Sequence, residues 1–353
     1  MIKLLNDWYS RHFNDPQVAI LALLIFVSAT LLYFIGDILA PLLAAIIIAY
    51  LLDGVVLACV KHKIPRFIAI ILTFSVFIIF LLVVLFILAP LIFRQGSDFV
   101  LEIPGMFSKG QEILMQLPEK YPNIISEQQV GELLSSIRGQ ITEFSQNFVS
   151  SSLSSVANAL TYMVYLIVVP LLIFFFLVDK EKILSWFKIF LPKDRKLVSV
   201  VWNEMNGKIA GYVRGKIMEI LIVWVVTYIT FLIFGLNYAV LLSFSVGISV
   251  LIPYVGAAIV TLPVAIIAYF QWGYSTELLY VVLAYGVIQF LDGNLLVPLL
   301  FSEMVNLHPA AIIIAVLIFG GLWGVWGVFF AIPLATLIHT VINSWPKNIT
   351  ANA

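Results

Sequence analysis

The sequence predicts an all-α polytopic membrane protein of about eight transmembrane elements, two of them broken or re-entrant, with a periplasmic amphipathic helical segment. Three observations predict it. Of 353 residues, 62% are hydrophobic and only 11% charged, where a soluble domain carries about 25% charged residues. The apolar residues fall in long runs, and a spanning helix needs about 20 of them at roughly 1.5 Å rise per residue. The charges fall in blocks between those runs.

The first 17 residues are polar. The apolar run that follows, Val18–Ile35, is too long for the core of a cleaved signal and reads as the first span. Ile38–Val60, Phe67–Phe93, Val156–Val178, Ile217–Phe234 and Glu277–Phe301 also qualify, with Asp37 and Asp53 expected at helix ends. Two tracts run past one span: Tyr238–Gln271, interrupted at Pro253 and Pro263, and Pro309–Ser344, interrupted from Gly320-Gly321 to Gly327. Each is either a kinked helix or a hairpin of two half-helices, and such breaks are tolerated at membrane depth only against protein or a cavity. The chain thus divides into three N-terminal spans (1–93), an outer segment (94–155), a fourth span (156–178), a basic segment (179–216) and a C-terminal bundle (217–346).

Orientation follows from Lys and Arg. Lys3, Arg11, Lys61, Lys63 and Arg66 flank the first spans, and residues 179–216 hold nine basic residues against four acidic. Residues 94–155 hold four basic against seven acidic. The basic segments are therefore expected in the cytoplasm and 94–155 in the periplasm, with both termini cytoplasmic. Within 94–155, apolar residues from Val130 to Phe148 recur at helical spacing, as in an amphipathic helix. Packing on the bilayer or on a neighbouring subunit is the plainer role for it, a lid over a pathway the sharper one.

Between Ile217 and Pro346 there is no Lys or Arg, and the acids are Glu219, Glu277, Asp292 and Glu303. An unpaired carboxylate in an apolar helix costs roughly 2.5–3.5 kcal/mol on insertion scales. Asp292 is therefore the first candidate for function. Tyr285, Gln289 and Asp292 are spaced i, i+4, i+7 and share one helix face. Pro298 cannot donate to the carbonyl four residues back, that of Asn294. The Asp292 carboxylate, the Gln289 and Asn294 amide side chains and that freed carbonyl are expected to converge near the membrane centre, and oxygen-rich clusters of this kind suit a cation, a proton or a polar solute; the alternative is hydrogen bonding that only holds the bundle together.

Pro253, Tyr254 and Gly256 break the 238–271 tract and free backbone groups that would meet a solute, or else make a packing kink. The glycine run 320–327 reads as close helix packing. His308-Pro309 reads as a helix cap, with proton carriage as the sharper alternative. Arg214, Lys216 and Glu219 read as charges snorkelling at the mouth of the fifth span. Gly211–Lys216 imitates a phosphate loop but is one residue short and lacks its Ser or Thr. The single Cys59 excludes an intrachain disulfide and a thiolate metal cluster. No metal and no cofactor are expected.

Several of these motifs, taken in order, resemble the autoinducer-2 exporter (AI-2E) family of PerM-like permeases. They are Tyr212-Val213-Arg214-Gly215, Ile252-Pro253-Tyr254-Val255-Gly256, Gln289–Asn294 with Pro298, Leu307-His308-Pro309, the 320–327 glycines and Ala331-Ile332-Pro333. Pro41 and Ala49-Tyr50-Leu51 also fit. The resemblance implies a bacterial inner-membrane transporter of about eight helices that moves autoinducer-2, a small polar furanone derivative, outward. For some relatives it implies sodium or lithium exchange for protons. Ala257, the stretch 299–303 and Lys216 depart from the family pattern.

The leading expectation is a secondary transporter, or permease, exporting a small polar solute at Asp292. The alternatives are a Na+(Li+)/H+ antiporter using the same residue, and an accessory or scaffolding protein docking through 94–155. An enzyme is not expected, since paired catalytic groups are missing. Expected partners are a small polar solute or monovalent cation and membrane lipid, not nucleic acid. Small-residue faces and the outer helix also allow a homo-oligomer.

Overall fold

The structure, a computed structural model, describes residues 16–116, 118, 126–154, 159–189, 196–253, 255–301 and 307–344. All regular structure among them is helical. Six helices are long and apolar enough to cross a membrane: Pro41–Lys61, Arg66–Glu112, Met205–Phe234, Val255–Trp272, Thr276–Phe301 and Pro309–Val341, with shorter apolar helices at Val164–Val178 and Ala239–Ser249. Large apolar side chains point outward, among them Phe86 at 71%, Leu299 at 73% and Leu317 at 69% exposure. On a soluble protein such a surface would aggregate; here it meets lipid.

The first helix, α1 (Pro16–Lys61), runs without a break through Gly36 and Asp37. Two spans were expected with a turn between them, but neither residue stops an apolar helix that has no proline between Pro16 and Pro41. Asp37 and Asp53 therefore lie inside α1, not at helix ends. Asp53 is buried and receives Lys180 Nζ at 2.8 Å and Arg66 Nη2 at 3.8 Å. α2 (Arg66–Val83) starts after Pro65, continues through a π-helical turn (Val84–Leu88) and runs straight on into α3 (Ala89–Met115). The outer segment thus begins as a rod, not a loop. The amphipathic helix expected there is α4 (Glu127–Ser154), which lays Val130 and Leu134 inward against α3. The helix α5 (Ala159–Val178) packs on α1 and α2 through Ile173, Leu177, Ala45, Ala49, Val56 and Ala69. Small residues at that seam let backbones approach where lipid gives no hydrophobic drive to associate.

After the short α6 (Lys180–Ile189), α7 (Lys196–Phe234) is 39 residues long, about 58 Å, and reaches well beyond a bilayer core. It ends in a left-handed Gly235 (φ 70°) whose neighbour Leu236 donates back to Phe231 O at 2.9 Å. The 238–271 tract then resolves as a hairpin of α8 (Ala239–Ser249) and α9 (Val255–Trp272). Its base is closed: Gln271 accepts from Asn237 N and donates to Gly235 O, both at 2.8 Å. The hairpin therefore leaves and returns at the same level, the end of α7, and its tip points back along α7. Gln95 Oε1, on α3, accepts from Leu241 N at 2.9 Å, and the Tyr238 hydroxyl donates to Glu102. Burial, then that bond and the Glu102 charge, push Tyr238 up to about 12.

The remaining elements are α10 (Thr276–Leu291), a π-helical turn (Asp292–Leu296), α11 (Val297–Phe301) and α12 (Pro309–Ser344). α12 is itself folded back, with Trp323 at φ −130° and Gly324 at φ 59° inside it. The glycine run, expected to serve close helix packing, thus makes a second hairpin as well. The two hairpins share one device. A Cβ on Gly256 would lie 1.8 Å from Ser249 O, and one on Gly327 would lie 1.8 Å from Phe319 O. No rotamer relieves contact with backbone. Gly256→Ala and Gly327→Ala are expected to destabilise by about 3 kcal/mol or more, as overpacking and backbone displacement combine. Gly286→Ala, with nothing within 4 Å, is expected to be neutral or stabilising by up to about 1 kcal/mol. Melting temperatures of the purified variants check both.

Candidate functional site

Two helical stripes of like chemistry build the site. On α7, Tyr212, Lys216 and Glu219 follow i, i+4, i+7; on α10 and the π turn, Tyr285, Gln289 and Asp292 repeat that spacing. Lys216 and Glu219 are 4% and 2% exposed. They do not snorkel, as the sequence suggested; α7 extends the span assumed from Ile217 by the whole of residues 196–216 at its N-terminal side, and helix and burial continue back through Lys216. Sequence distance hid the reason. The tip of the first hairpin folds over Lys216 from residues more than 30 positions away, and Lys216 Nζ donates to Val250 O at 2.8 Å. The same ammonium donates to Glu219 Oε2 at 2.7 Å.

Phe301 closes the other side, its ring centroid 5.4 Å from Lys216 Nζ. It comes that near because Gly215 has no side chain: a Cβ there would stand 2.8 Å from Phe301 Cε1. Tyr212 packs on Phe301 and Phe329, with centroids 5.7 and 6.4 Å apart, and clusters with Ile332 from the second hairpin. Arg214 faces the other way, over the Tyr50 ring and against Gly54 of α1. A two-turn stretch of α7 thus touches both hairpins, α1 and α11.

Asp292 is half-buried at the start of the π turn and interacts electrostatically with Lys216 and Glu219. The carboxylate that looked unaccompanied in sequence thus feels the field of Lys216, the residue just before the tract that lacks Lys and Arg, without forming an ion pair with it. Three polar atoms around this centre are buried without a hydrogen-bond partner: Tyr212 OH, Gln289 Nε2 and Asp292 Oδ1. Each donor or acceptor left so costs about 1–3 kcal/mol.

The other sequence candidates separate. Tyr285 is buried, stacks near Phe231, and its hydroxyl reaches Ala257 O at 3.4 Å, so it holds the hairpin against α10. Asn294 is exposed and turns its amide back to Phe290 O at 2.9 Å, away from Asp292. The π register also moves the local break: Val297 N donates to Asp292 O, five back. In that register the carbonyl facing the missing N–H of Pro298 is Gly293's, not Asn294's. The freed backbone expected at Pro253 is occupied, since Pro253 O accepts from Val255 N at 2.8 Å and Ile252 O from Gly256 N at 2.9 Å. Gly256 makes the hairpin crossing, and Tyr254 lies outside the described residues. His308 is exposed and caps α12, its Nδ1 accepting from Ala310 N at 3.2 Å. Among the described residues no cluster of His, Cys, Asp and Glu is arranged to hold a metal.

Comparison with known proteins adds the lineage. The sequence pattern of the AI-2E family transporter matches residues 20–347. A protein of Escherichia coli (strain K12) named as a permease, PerM, is 44% identical over 346 residues, covering 98% of this chain and 98% of its own length. Two proteins of Bacillus subtilis (strain 168) named as transport proteins are each 27% identical: YueF over 352 residues, 96% of this chain and 93% of its own, and YrrI over 309 residues, 87% and 86%.

The buried pair makes a stability prediction. Removing one partner strands a charge, so Lys216→Met is expected to destabilise by about 3–5 kcal/mol. Lys216→Met with Glu219→Leu removes both charges and is expected to recover most of that loss. Denaturation of the single and double variants in detergent measures the difference; equal losses would mean the two groups do not act as a pair.

Proposed function

The chain belongs to the AI-2E transporter family, and from that premise we propose that it is a secondary transporter exporting a small polar solute across the bacterial inner membrane through the site around Lys216, Glu219 and Asp292. One observation carries this reading: a buried Lys216–Glu219 pair with a second, half-buried carboxylate, Asp292, within the field of both. If both carboxylates ionise, a negative charge is left over inside a low-dielectric bundle, where it is costly. A proton, a monovalent cation or a solute rich in donors relieves it. The unpaired Tyr212 hydroxyl, Gln289 amide and Asp292 oxygen offer both donors and acceptors. A small hydroxyl-bearing solute of the autoinducer-2 kind matches that mixture better than an ion alone.

The same excess charge favours a second reading, exchange of Na+ or Li+ for H+ at Asp292. The two diverge in liposomes. Asp292→Asn is expected to lower solute export by about tenfold or more, the rate equivalent of roughly 1.4 kcal/mol of lost interaction. As an antiporter, the variant would instead lose cation-dependent proton flux with no solute flux to lose. Asn294→Ala, whose amide serves its own helix, is expected to stay within about twofold of the parent, less than ~0.5 kcal/mol. Full transport by Asp292→Asn would remove Asp292 from the site.

The orientation proposed rests on the basic residues: Lys61–Arg66 and the 179–216 segment in the cytoplasm, 94–155 in the periplasm. The C-terminus follows to the cytoplasm, because each hairpin returns to the side it leaves. The unbroken α1, with Lys61 in the cytoplasm, carries its start toward the opposite face, so the cytoplasmic N-terminus expected from Lys3 and Arg11 is not part of the orientation proposed. Tyr274, 93% exposed beside the hairpin base, reports the side directly. In a Cys59→Ser background, Tyr274→Cys is expected to react with an impermeant thiol reagent from outside intact cells. Lys63→Cys is expected to react only after lysis.

A further inference from the structure

The position of the Lys216 ammonium is itself informative. Its two oxygen partners are the Glu219 carboxylate at 2.7 Å and the Val250 carbonyl at 2.8 Å. Val250 is the C-cap of α8, so its carbonyl stands at the negative end of a half-helix dipole. The third face is the Phe301 ring, 5.4 Å from Nζ, at a distance where an aromatic face attracts a cation. A carboxylate, a carbonyl at the C-terminal end of a broken helix and an apolar lid are the surroundings in which transporters with discontinuous helices hold a monovalent cation.

An ordinary structural ion pair has no need of the second oxygen. Lys216 is three residues from Glu219 on the same helix and pairs with it locally. The bond to Val250 O is different in kind, since it ties the spanning helix to the tip of a re-entrant hairpin 34 residues on. Without a cation at this point the hairpin tip would press a half-helix C-terminus against a buried carboxylate, two negative ends together. A cation between them is what allows the tip to dock.

We propose that this position is a monovalent-cation site filled by the chain's own ammonium, so that Lys216 Nζ replaces the Na+ the same oxygens would otherwise bind. The proposal rests on reading Lys216, Glu219 and Asp292 as the transport site, and it narrows that reading. The hairpin tip docks without sodium, transport by the parent chain does not require sodium, and Asp292 is the carboxylate left to exchange a proton.

Melting curves of the full-length purified protein in NaCl, KCl and choline chloride at equal ionic strength test this. The parent is expected to melt at one temperature in all three. Lys216→Ala opens room beside Glu219 and Val250, and is expected to melt lower in choline chloride and to recover in NaCl. At sodium a hundredfold above its dissociation constant the recovery is about 5 °C, with KCl giving less. Lys216→Met with Glu219→Leu, which lacks the carboxylate, is expected to show no salt preference. A parent that is itself raised by sodium would overturn the proposal. So would a Lys216→Ala variant indifferent to the salt, a double variant that still responds, or a Lys216→Ala variant that fails to fold in every salt while the double variant folds. These readouts do not involve transport, so loss of the Asp292 assignment in the export assay would be seen separately.

Discussion

The Lys216 ammonium, wedged between a carboxylate on its own helix and a carbonyl at the tip of a hairpin, is the contact on which the C-terminal bundle depends. Each of its partners would be a liability alone. A bare Glu219 at 2% exposure is a stranded charge, and a bare Val250 carbonyl is an unpaired polar group at a half-helix end. One cation satisfies both, and in doing so fixes how deep the hairpin sits. That depth sets the rest. With the tip held, Ala257 meets the Tyr285 hydroxyl, Val246 and Val264 pack with Val281, and α10 is aligned so that Asp292 comes into range of the same ammonium.

The two hairpins are alternative uses of one constraint. A helix that turns back inside a bilayer must bring two backbones into contact, because no water is there to satisfy spread-out polar groups. Contact at that range excludes any Cβ, and glycine stands at both crossings, Gly256 over Ser249 and Gly327 over Phe319. The first hairpin reaches α7 through Lys216 and the second through the Tyr212, Phe329 and Ile332 cluster. Both therefore converge on the same two turns of one helix. A small rotation of α7 would be felt by both tips, which is the mechanical link an alternating-access device needs.

Much of this was legible in the chain and some was not, and the division has a physical cause. Periodicity and hydropathy report what a residue does on its own helix, so the apolar tracts, the outer amphipathic helix and the breaks at Pro253 and Gly324 could be read. The stripe of Tyr285, Gln289 and Asp292 was legible for the same reason. Lys216 was not, because a lysine at the end of an apolar run nearly always snorkels, and only a segment returning from position 250 makes it buried. Asn294 erred the other way. An amide beside a proline looks like a free polar group, yet its shortest route to a partner is the carbonyl one turn back on its own helix. Gly36-Asp37 looked like a boundary because it parts two runs of span length, but composition alone does not stop a helix that has no capping partner.

The same logic explains why the π turn begins at Asp292. A π turn inserts an extra residue into the helical register, and the strain is tolerated where neighbouring structure or a ligand repays it. Here it advances the backbone just where Pro298 is about to remove a donor, so two defects are merged into one. The merged defect lies beside a carboxylate that carries no hydrogen-bond partner on Oδ1 and faces a cation already shared by two other oxygens. Lys216 gives two of its three N–H donors to Glu219 and Val250, and Asp292 has its field but not its hydrogen bonds. A carboxylate in that position has a cation's field without a fixed ion pair, which is what the transport role proposed for Asp292 requires and a structural salt bridge does not supply.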